Sequence, residues 1–286
     1  MKIVFSEKCL EYYEPLMIES PDRVLEAYGI LREIGYAFVR PQPASYNDLL
    51  KVHSKEHIET IRSGDFYDAD TPAYENIYDY ACLAAGGAIM AAKLSAKKAN
   101  LNGFSMMRPP GHHAGVNGPA LGANTLGFCY FNNIAVAVRS LNVPTLIIDI
   151  DGHHGNGTQE IFLGDESVTF VSLHSVNIYP GTGLESEENC LNHAFYEPPG
   201  DRLYLRTLKK LLSQVNTKDI KMISISAGFD AHAGDLSSLG LTSACYRKIG
   251  EIVKLLKKPV FCVLEGGYVG KNVGMGIHNL IKGLEL

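Results

Sequence analysis

Between Thr145 and Thr158 the chain reads T-L-I-I-D-I-D-G-H-H-G-N-G-T. The apolar run from Leu146 to Ile150 predicts a buried strand, and two acids and two histidines crowd its end. Side chains alternate along extended chain, so Asp149, Asp151 and His153 project one way and His154 faces off. A carboxylate and an imidazole two residues apart suit a borderline cation such as zinc, which takes both donors at about 2.0–2.2 Å. The competing reading is an Asp–His hydrogen bond closing a strand end, but so many charged groups are costly to bury unless paired or metal-bound. A third ligand must come from elsewhere. Lys221 to Ala227 predicts another strand, and G-F-D-A-H follows it, which makes Asp230 the candidate.

Two further stretches could move protons. In R-P-P-G-H-H-A, residues 108–114, prolines and a glycine restrict the backbone, so His112 and His113 sit in a rigid loop after a predicted strand over 102–106. Imidazole is the side chain best matched to proton transfer near neutral pH; a turn with merely hydrogen-bonded histidines is the alternative. Val260 to Leu264 predicts the last strand, followed by E-G-G-Y. Gly266 and Gly267 let the phenol of Tyr268 approach the site, where its O–H can donate to a developing oxyanion. A core tyrosine is the plainer reading.

The elements that must position these groups alternate along the chain. After a first strand at Lys2 to Phe5, Ser20 as N-cap and Pro21 at the first helical position predict a helix to about Glu33, with Arg23 at its start, a solvated arginine or a functional one with neither favoured by the helix alone. Tyr46 to Ser63 has helical period and carries His53 and His57, four apart; no carboxylate completes a zincin pattern, so packed or surface histidines fit better than a metal pair. An acidic loop with Asp65, Asp68 and Asp70 precedes a helix from Tyr74 to about Lys98, whose paired Gly86 and Gly87 imply close packing. Other helices are expected to Leu141, over 155–164, from Arg202 to about Val215, from Thr242 to about Leu256, and from Val269 to Leu284. Another strand is expected at Val168 to Leu173, and Glu185 to Gly200 reads as irregular and polar.

Strand, polar loop and helix recur without internal repeats. That pattern predicts an α/β fold with a mostly parallel central sheet, helices on both faces, and the site at the strand C-termini. At 286 residues with no linker-like stretch, residues 1–286 are expected to form one domain. A net charge of −5 without a Lys/Arg run gives no nucleic-acid or membrane-surface footprint. Six scattered cysteines with no C-x-x-C pair point to reduced thiols, and no apolar run approaches bilayer length, so a cytoplasmic protein that spans no membrane is expected.

Together these motifs resemble the zinc-dependent histone deacetylase superfamily, which includes acetylpolyamine amidohydrolases and shares the three-layer arginase-like fold. The resemblance runs from S-P-D-R at 20–23 through D-T-P at 70–72, R-P-P-G-H-H-A, G-F-C-Y-F-N-N at 127–133, D-I-D-G-H-H-G-N-G-T, S-L-H at 172–174, P-G-T-G at 180–183 and G-F-D-A-H to L-E-G-G-Y. It implies zinc on Asp151, His153 and Asp230, with Fe(II) able to take the same ligands. It further implies His113 as general base, His112 as the proton donor to the leaving amine, Asp149 and Asn156 as their partners, and Tyr268 as oxyanion donor. Asn at 156 matches the second-group and bacterial pattern; an amide raises the imidazole pKa less than a carboxylate would. Phe128 and Tyr179 match the aromatic walls of a narrow acyl-lysine-type channel lined also by Gly266 and Gly267, Asp70 the rim aspartate, and Arg23 an arginine at the inner cavity. Potassium is implied near Asp149, Asp151, His153, Ser172 and Leu173, and again near Phe162, Asp165 and Val168.

The implied substrate is a linear acetylated amine: an acetylpolyamine, another small amine, or acetyl-lysine. Asp235 is the single acid in the 234–240 loop where a polyamine gatekeeper could lie, and Glu185, Glu187, Glu188 and the 65–70 loop are other sources of charge. The chain is compact, so a fairly open entrance and broad specificity are expected. A silent binder of acylated ligands, or an arginase-like ureohydrolase with a second metal, are the alternatives. Oligomeric state is left open.

Overall fold

The computed structural model describes residues 1–97 and 102–285. Eight strands form one sheet: β1 (Lys2–Val4), β2 (Phe38–Val39), β3 (Gly103–Ser105), β6 (Thr145–Asp149), β7 (Val168–Ser175), β8 (Cys190–Phe195), β9 (Met222–Ala227) and β10 (Val260–Leu264). Their order is β2-β1-β3-β10-β9-β6-β7-β8, and every neighbouring pair is parallel. A small antiparallel pair, β4 (Ala114–Gly115) and β5 (Gly118–Pro119), lies apart. The helices are α1 (Asp22–Ile34), α2 (Tyr46–Leu49), α3 (Lys55–Ser63), α4 (Ile77–Lys97), α5 (Asn133–Leu141), α6 (Asn156–Phe162), α7 (Gly200–Leu212), α8 (Ser243–Lys254) and α9 (Gly270–Glu285).

Period-2 alternation in the central strands builds three layers. Leu146 and Ile148 of β6, with Val260, Cys262 and Leu264 of β10, join one apolar cluster with Val24 of α1, Leu208 of α7, Ile249 of α8 and Ile277 of α9. Ile147, Phe261 and Val263 point the other way, into a second cluster with Ala85 and Ala88 of α4 and Ile134 of α5. A strand buried on both faces reads as a continuous apolar run, as these do. The paired glycines of α4 allow the close packing their sequence implied. A Cβ on Gly86 would stand 1.9 Å from the carbonyl of Gln42, and one on Gly87 2.8 Å from Ser105 Oγ.

Several elements depart from expectation. The first helix starts at Asp22 and has no side-chain cap; the Pro21 carbonyl, not the Ser20 hydroxyl, accepts from Val24 and Leu25. The stretch 46–63 is two helices, because the Ser54 side chain caps α3 anew by accepting from His57 N. Helix α4 begins at Ile77, after Asn76 at φ 60°, and its expected end at Lys98 lies outside the described residues. Within the stretch expected to be irregular, Cys190–Phe195 forms the edge strand β8, too short and mixed in polarity to announce itself. Thr242 stands at the head of α8, but its hydroxyl donates to Asp201 rather than capping the helix.

Candidate active site

Strands β3, β10, β9 and β6 lie side by side in the sheet, and each of the four polar motifs leaves the C-terminal end of one of them. Convergence is therefore a product of strand order. Motifs at 108–113, 149–153, 228–230 and 265–268 meet at one edge, as the strand-and-loop pattern predicted.

The i, i+2 spacing at the end of β6 has a local cause. Asp149 Oδ1 accepts from Asp151 N at 3.0 Å, and Asp151 Oδ1 accepts in turn from His153 N at 2.9 Å. Each carboxylate thus caps the amide two residues on, the turn chemistry in which aspartate excels. The second oxygen of Asp151 accepts from Gly266 N at 2.7 Å, tying β6 to the glycines after β10. Asp230 Oδ1 accepts from Gly152 N at 2.9 Å. Its Oδ2 is buried with no aligned hydrogen-bond donor, yet lies 2.6 Å from His153 Nδ1. One ligand atom each from Asp151, His153 and Asp230 falls within 4.8 Å of the others.

This donor set fits a divalent cation. The carboxylates of Asp149, Asp151, Asp230 and Glu265 are fully buried, and burial, outweighing the attraction of His112, pushes Asp149 up to about 6 and Glu265 up to about 7. Burial disfavours a charged His153, but Asp230 and Asp151 outweigh it and carry its imidazole up to about 10. The two carboxylates that would hold a proton on that ring are the ones that would hold a metal in its place.

The two adjacent histidines are held differently. His112 Nδ1 lies 2.9 Å from Asp149 Oδ2; burial lowers its pKa, yet Asp149 and Asp151 overcome that and raise it to about 10. His113 Nδ1 lies 2.7 Å from Asn156 Oδ1, and Asn156 Nδ2 donates to the carbonyl of Ala120. Asn156 therefore presents its oxygen, His113 carries a proton on Nδ1, and Nε2 is left as the basic nitrogen. Burial first, then the neighbouring His112 and His153, hold His113 well below the ordinary imidazole value.

Tyr268 is fixed from three sides. Asp235 accepts from Tyr268 N at 3.2 Å and from Val269 N at 3.1 Å. Phe128 packs edge-on at 5.9 Å, and the Arg23 guanidinium lies 5.3 Å over the ring. Burial raises the phenol well above its usual range against the opposing charge of Arg23, so it stays a donor. Tyr179 packs at 83° against His113, 4.8 Å between centroids, and its hydroxyl donates to the Thr125 carbonyl. Gly127 between them has φ +55°, and a Cβ there would strike Tyr179 at 2.6 Å and His113 at 2.7 Å. Gly266 is equally confined, since its Cβ would stand 2.6 Å from Asp151 Oδ2, and Gly267 needs φ +114°.

The remaining candidates lie around the site and beyond it. Arg23, solvated on one reading and at an inner cavity by the resemblance, is buried: it donates to Glu19 and to the carbonyls of Glu265 and Gly267, bracketing Gly266. Asp70 accepts from the hydroxyls of Thr71 and Thr125 and from Gly127 N, and Asp68 from Leu126 N, so both bind the loop that carries Phe128. His53 and His57 are buried, bonded to the carbonyls of Gly115 and Tyr130 at 2.8 Å each. Ser172 Oγ lies 2.9 Å from His174 Nδ1, while Leu173 is fully buried beside it in β7. The carbonyls of Phe162, Asp165 and Val168 all receive the side-chain amide of Asn189.

Two acids had no assigned role in the sequence. Glu19 receives both Arg108 Nε and Arg108 Nη2 at 2.7 Å, a bidentate pair that anchors the loop leading to His112. Glu265 Oε2 accepts from Gly111 N at 2.8 Å and His112 N at 3.1 Å. An acid at the end of an apolar strand was the available signal. Replacing Glu265 by Leu leaves two buried amides without an acceptor, at about 1–3 kcal/mol each. Glu265→Gln keeps an acceptor oxygen, so denaturant titration should show a much smaller loss for Gln than for Leu.

The chain is similar to known proteins over nearly its whole length. The histone deacetylase domain family matches residues 17–284. A probable deacetylase of Archaeoglobus fulgidus is 37% identical over 93% of this chain and 80% of its own. Histone deacetylase clr3 of Schizosaccharomyces pombe is 33% identical over 87% of this chain and 42% of its own. The crystal structure of the HDA15 HD domain superposes with a TM-score of 0.88 at 31% identity, covering 98% of this chain and 87% of that one. The chain belongs to the histone deacetylase family, a family of hydrolases that act on acetylated substrates. No helix among the described residues is long and apolar enough to cross a membrane.

Proposed function

We propose that this protein is a zinc-dependent deacylase that hydrolyses the amide of a linear acetylated amine to acetate and free amine. The observation that carries this reading is the Asp151, His153 and Asp230 ligand set, beside an imidazole at His113 that is held neutral. Residues 1–286 would act as one catalytic domain. A zinc ion, or Fe(II) on the same ligands, would supply polarisation of the acyl carbonyl and acidification of a water.

The chain's own residues divide the rest of the work. Phe128 and Tyr179 wall a channel that admits a slender acyl-amine chain, with Gly266 and Gly267 keeping its floor clear. His113 Nε2 takes the proton of the attacking water. Tyr268 Oη donates to the oxygen that was the acyl carbonyl, where a preorganised donor is worth most. His112, held protonated by Asp149, gives a proton to the departing nitrogen. Arg23 keeps the Gly-Gly-Tyr segment in place from behind, at the inner end of the channel.

Asp235 is committed to the amides of Tyr268 and Val269, and Asp70 to its own loop, so neither carboxylate is free to select a polycation. That favours a small acetylated amine or acetyl-lysine over a dedicated acetylpolyamine substrate. The buried, unpaired cysteines suit a reducing cytoplasm. The excess of buried acids favours a structural potassium ion near Asp149, Asp151, His153, Ser172 and Leu173.

The test is kcat/KM of zinc-loaded and metal-stripped protein on acetylputrescine, acetylspermidine, acetyl-lysine and an acetyl-lysine peptide. Expected is zinc-restored turnover with less than about a 100-fold preference for the polyamines, roughly 2.7 kcal/mol in transition-state terms. A larger preference would demand an acidic gatekeeper. No turnover of any substrate would leave a silent binder of acylated ligands.

A further inference from the structure

The loop from α6 into β7 is where the family resemblance implies a second potassium ion, on Phe162, Asp165 and Val168. Those residues do not fit one. The side-chain nitrogen of Asn189, immediately before β8, already stands at the point their carbonyls face: Nδ2 donates to Phe162 O at 2.8 Å, to Val168 O at 2.8 Å and to Asp165 O at 3.3 Å. A primary amide has two hydrogens, and there are two short contacts; the third carbonyl is correspondingly longer.

Three observations keep the amide there. Asn189 Oδ1 accepts from Gly164 N at 2.8 Å, so the group cannot turn its oxygen toward the carbonyls without losing that bond. The Asn189 carbonyl accepts from Phe170 N at 3.0 Å, which fixes the backbone against β7. Arg139 closes the outside: its guanidinium pairs with the Asp165 carboxylate and lies 4.6 Å over the Phe162 ring. The Asp165 carboxylate is thus neutralised by Arg139 and offers no free negative charge to a cation held at its carbonyl.

We propose that the Asn189 amide stands in for a cation at this loop, so that the carbonyls of Phe162, Asp165 and Val168 are bridged by a neutral donor and bind no potassium. Carbonyl dipoles that converge are a general cation cradle; here the chain fills the cradle from within. The turn between α6 and β7 is then braced independently of ionic conditions, whatever the inner site near Asp149 binds. The readout does not depend on turnover, so this proposal stands or falls separately from the deacylase reading.

Crystals of wild-type and Asn189→Ala protein, grown with rubidium in place of potassium, would be compared by anomalous scattering, alongside melting temperature as a function of potassium concentration. Expected is no rubidium between these three carbonyls in the wild type and a rubidium peak there in Asn189→Ala. The variant should also show a potassium-dependent rise in melting temperature beyond any that the wild type shows, as a ligand bound only to the folded state requires. A rubidium peak among the carbonyls in the wild type, with the Asn189 side chain turned away, overturns the proposal. So does a variant that stays empty and gains no potassium response, because the carbonyls would then be no cradle at all. Asn189→Ser, which keeps a polar side chain too short to bridge, gives the same two outcomes if the alanine variant does not fold.

Discussion

His113→Ala is expected to lower kcat by about two to four orders of magnitude, the usual worth of a positioned general base, with metal content and fold retained. The expectation rests on tautomer and charge together. Asn156 presents its oxygen to Nδ1, so Nε2 is the nitrogen free to take a proton. Burial and the flanking His112 and His153 keep the ring below its ordinary pKa of 6.5, so it is neutral at pH 7 and the acid limb of the kcat/KM profile should fall below that value. The base is lost only when it becomes protonated; anything that raises its pKa therefore moves the acid limb to higher pH. Asn156→Asp is the variant that should do this, since it sets a carboxylate where an amide oxygen now lies 2.7 Å from Nδ1. His112 is pushed the other way by Asp149 and Asp151, and neighbouring groups driven apart in pKa are a mark of divided acid and base roles. An alanine variant that turned over at the wild-type rate, or an Asn156→Asp profile with its acid limb unmoved, would remove His113 from the role.

The chemistry-bearing residues were legible because burial makes them expensive. A strand that ends in Asp-x-Asp-x-His, or a proline-locked turn that carries two histidines, marks a candidate site without a neighbour in view. The long-range partners were legible only in part. Asp230 could be nominated because it too follows an apolar strand, but that β9 lies directly between β6 and β10 is a fact of sheet order, which no local pattern encodes. Glu265 carried a local signal, an acid at the end of an apolar strand, but its role carried none: that lies in two amide protons more than 150 residues earlier in the chain. The helical period alone left Arg23 readable as a surface residue, because the periodicity of α1 says nothing about the Gly-Gly-Tyr segment folded over it. Edge strand β8 was missed because an edge needs little apolar content, and the split at Ser54 because one serine outweighed a continuous helical period. Asn189 lay in the stretch read as irregular, so its amide could not be set against the loop it fills.

Gly228→Ala should be among the most damaging single substitutions in the chain, although it adds one methyl group. Gly228 follows β9, two residues before Asp230, and a Cβ there would stand 2.0 Å from Asp151 Oδ2 and 2.5 Å from Asp151 Cα. The obstruction is the side chain of a candidate metal ligand and its own backbone, neither of which can yield: Asp151 is already tied to Gly266 N and His153 N. Overpacking of this kind costs about 1–3 kcal/mol in an ordinary core. Here the displaced group is itself a candidate ligand, so zinc affinity should fall by at least the 10–100-fold that loss of a mere supporting contact produces. Gly29→Ala is the matched control. Gly29 lies inside α1 with nothing within 4 Å of its missing Cβ, so the same change should stabilise by about 0.5–1 kcal/mol through helix propensity. Thermal melts and zinc titration of the pair separate crowding at the site from the general effect of replacing glycine. If Gly228→Ala bound zinc and melted as the wild type does, Asp151 would not be where the metal is held.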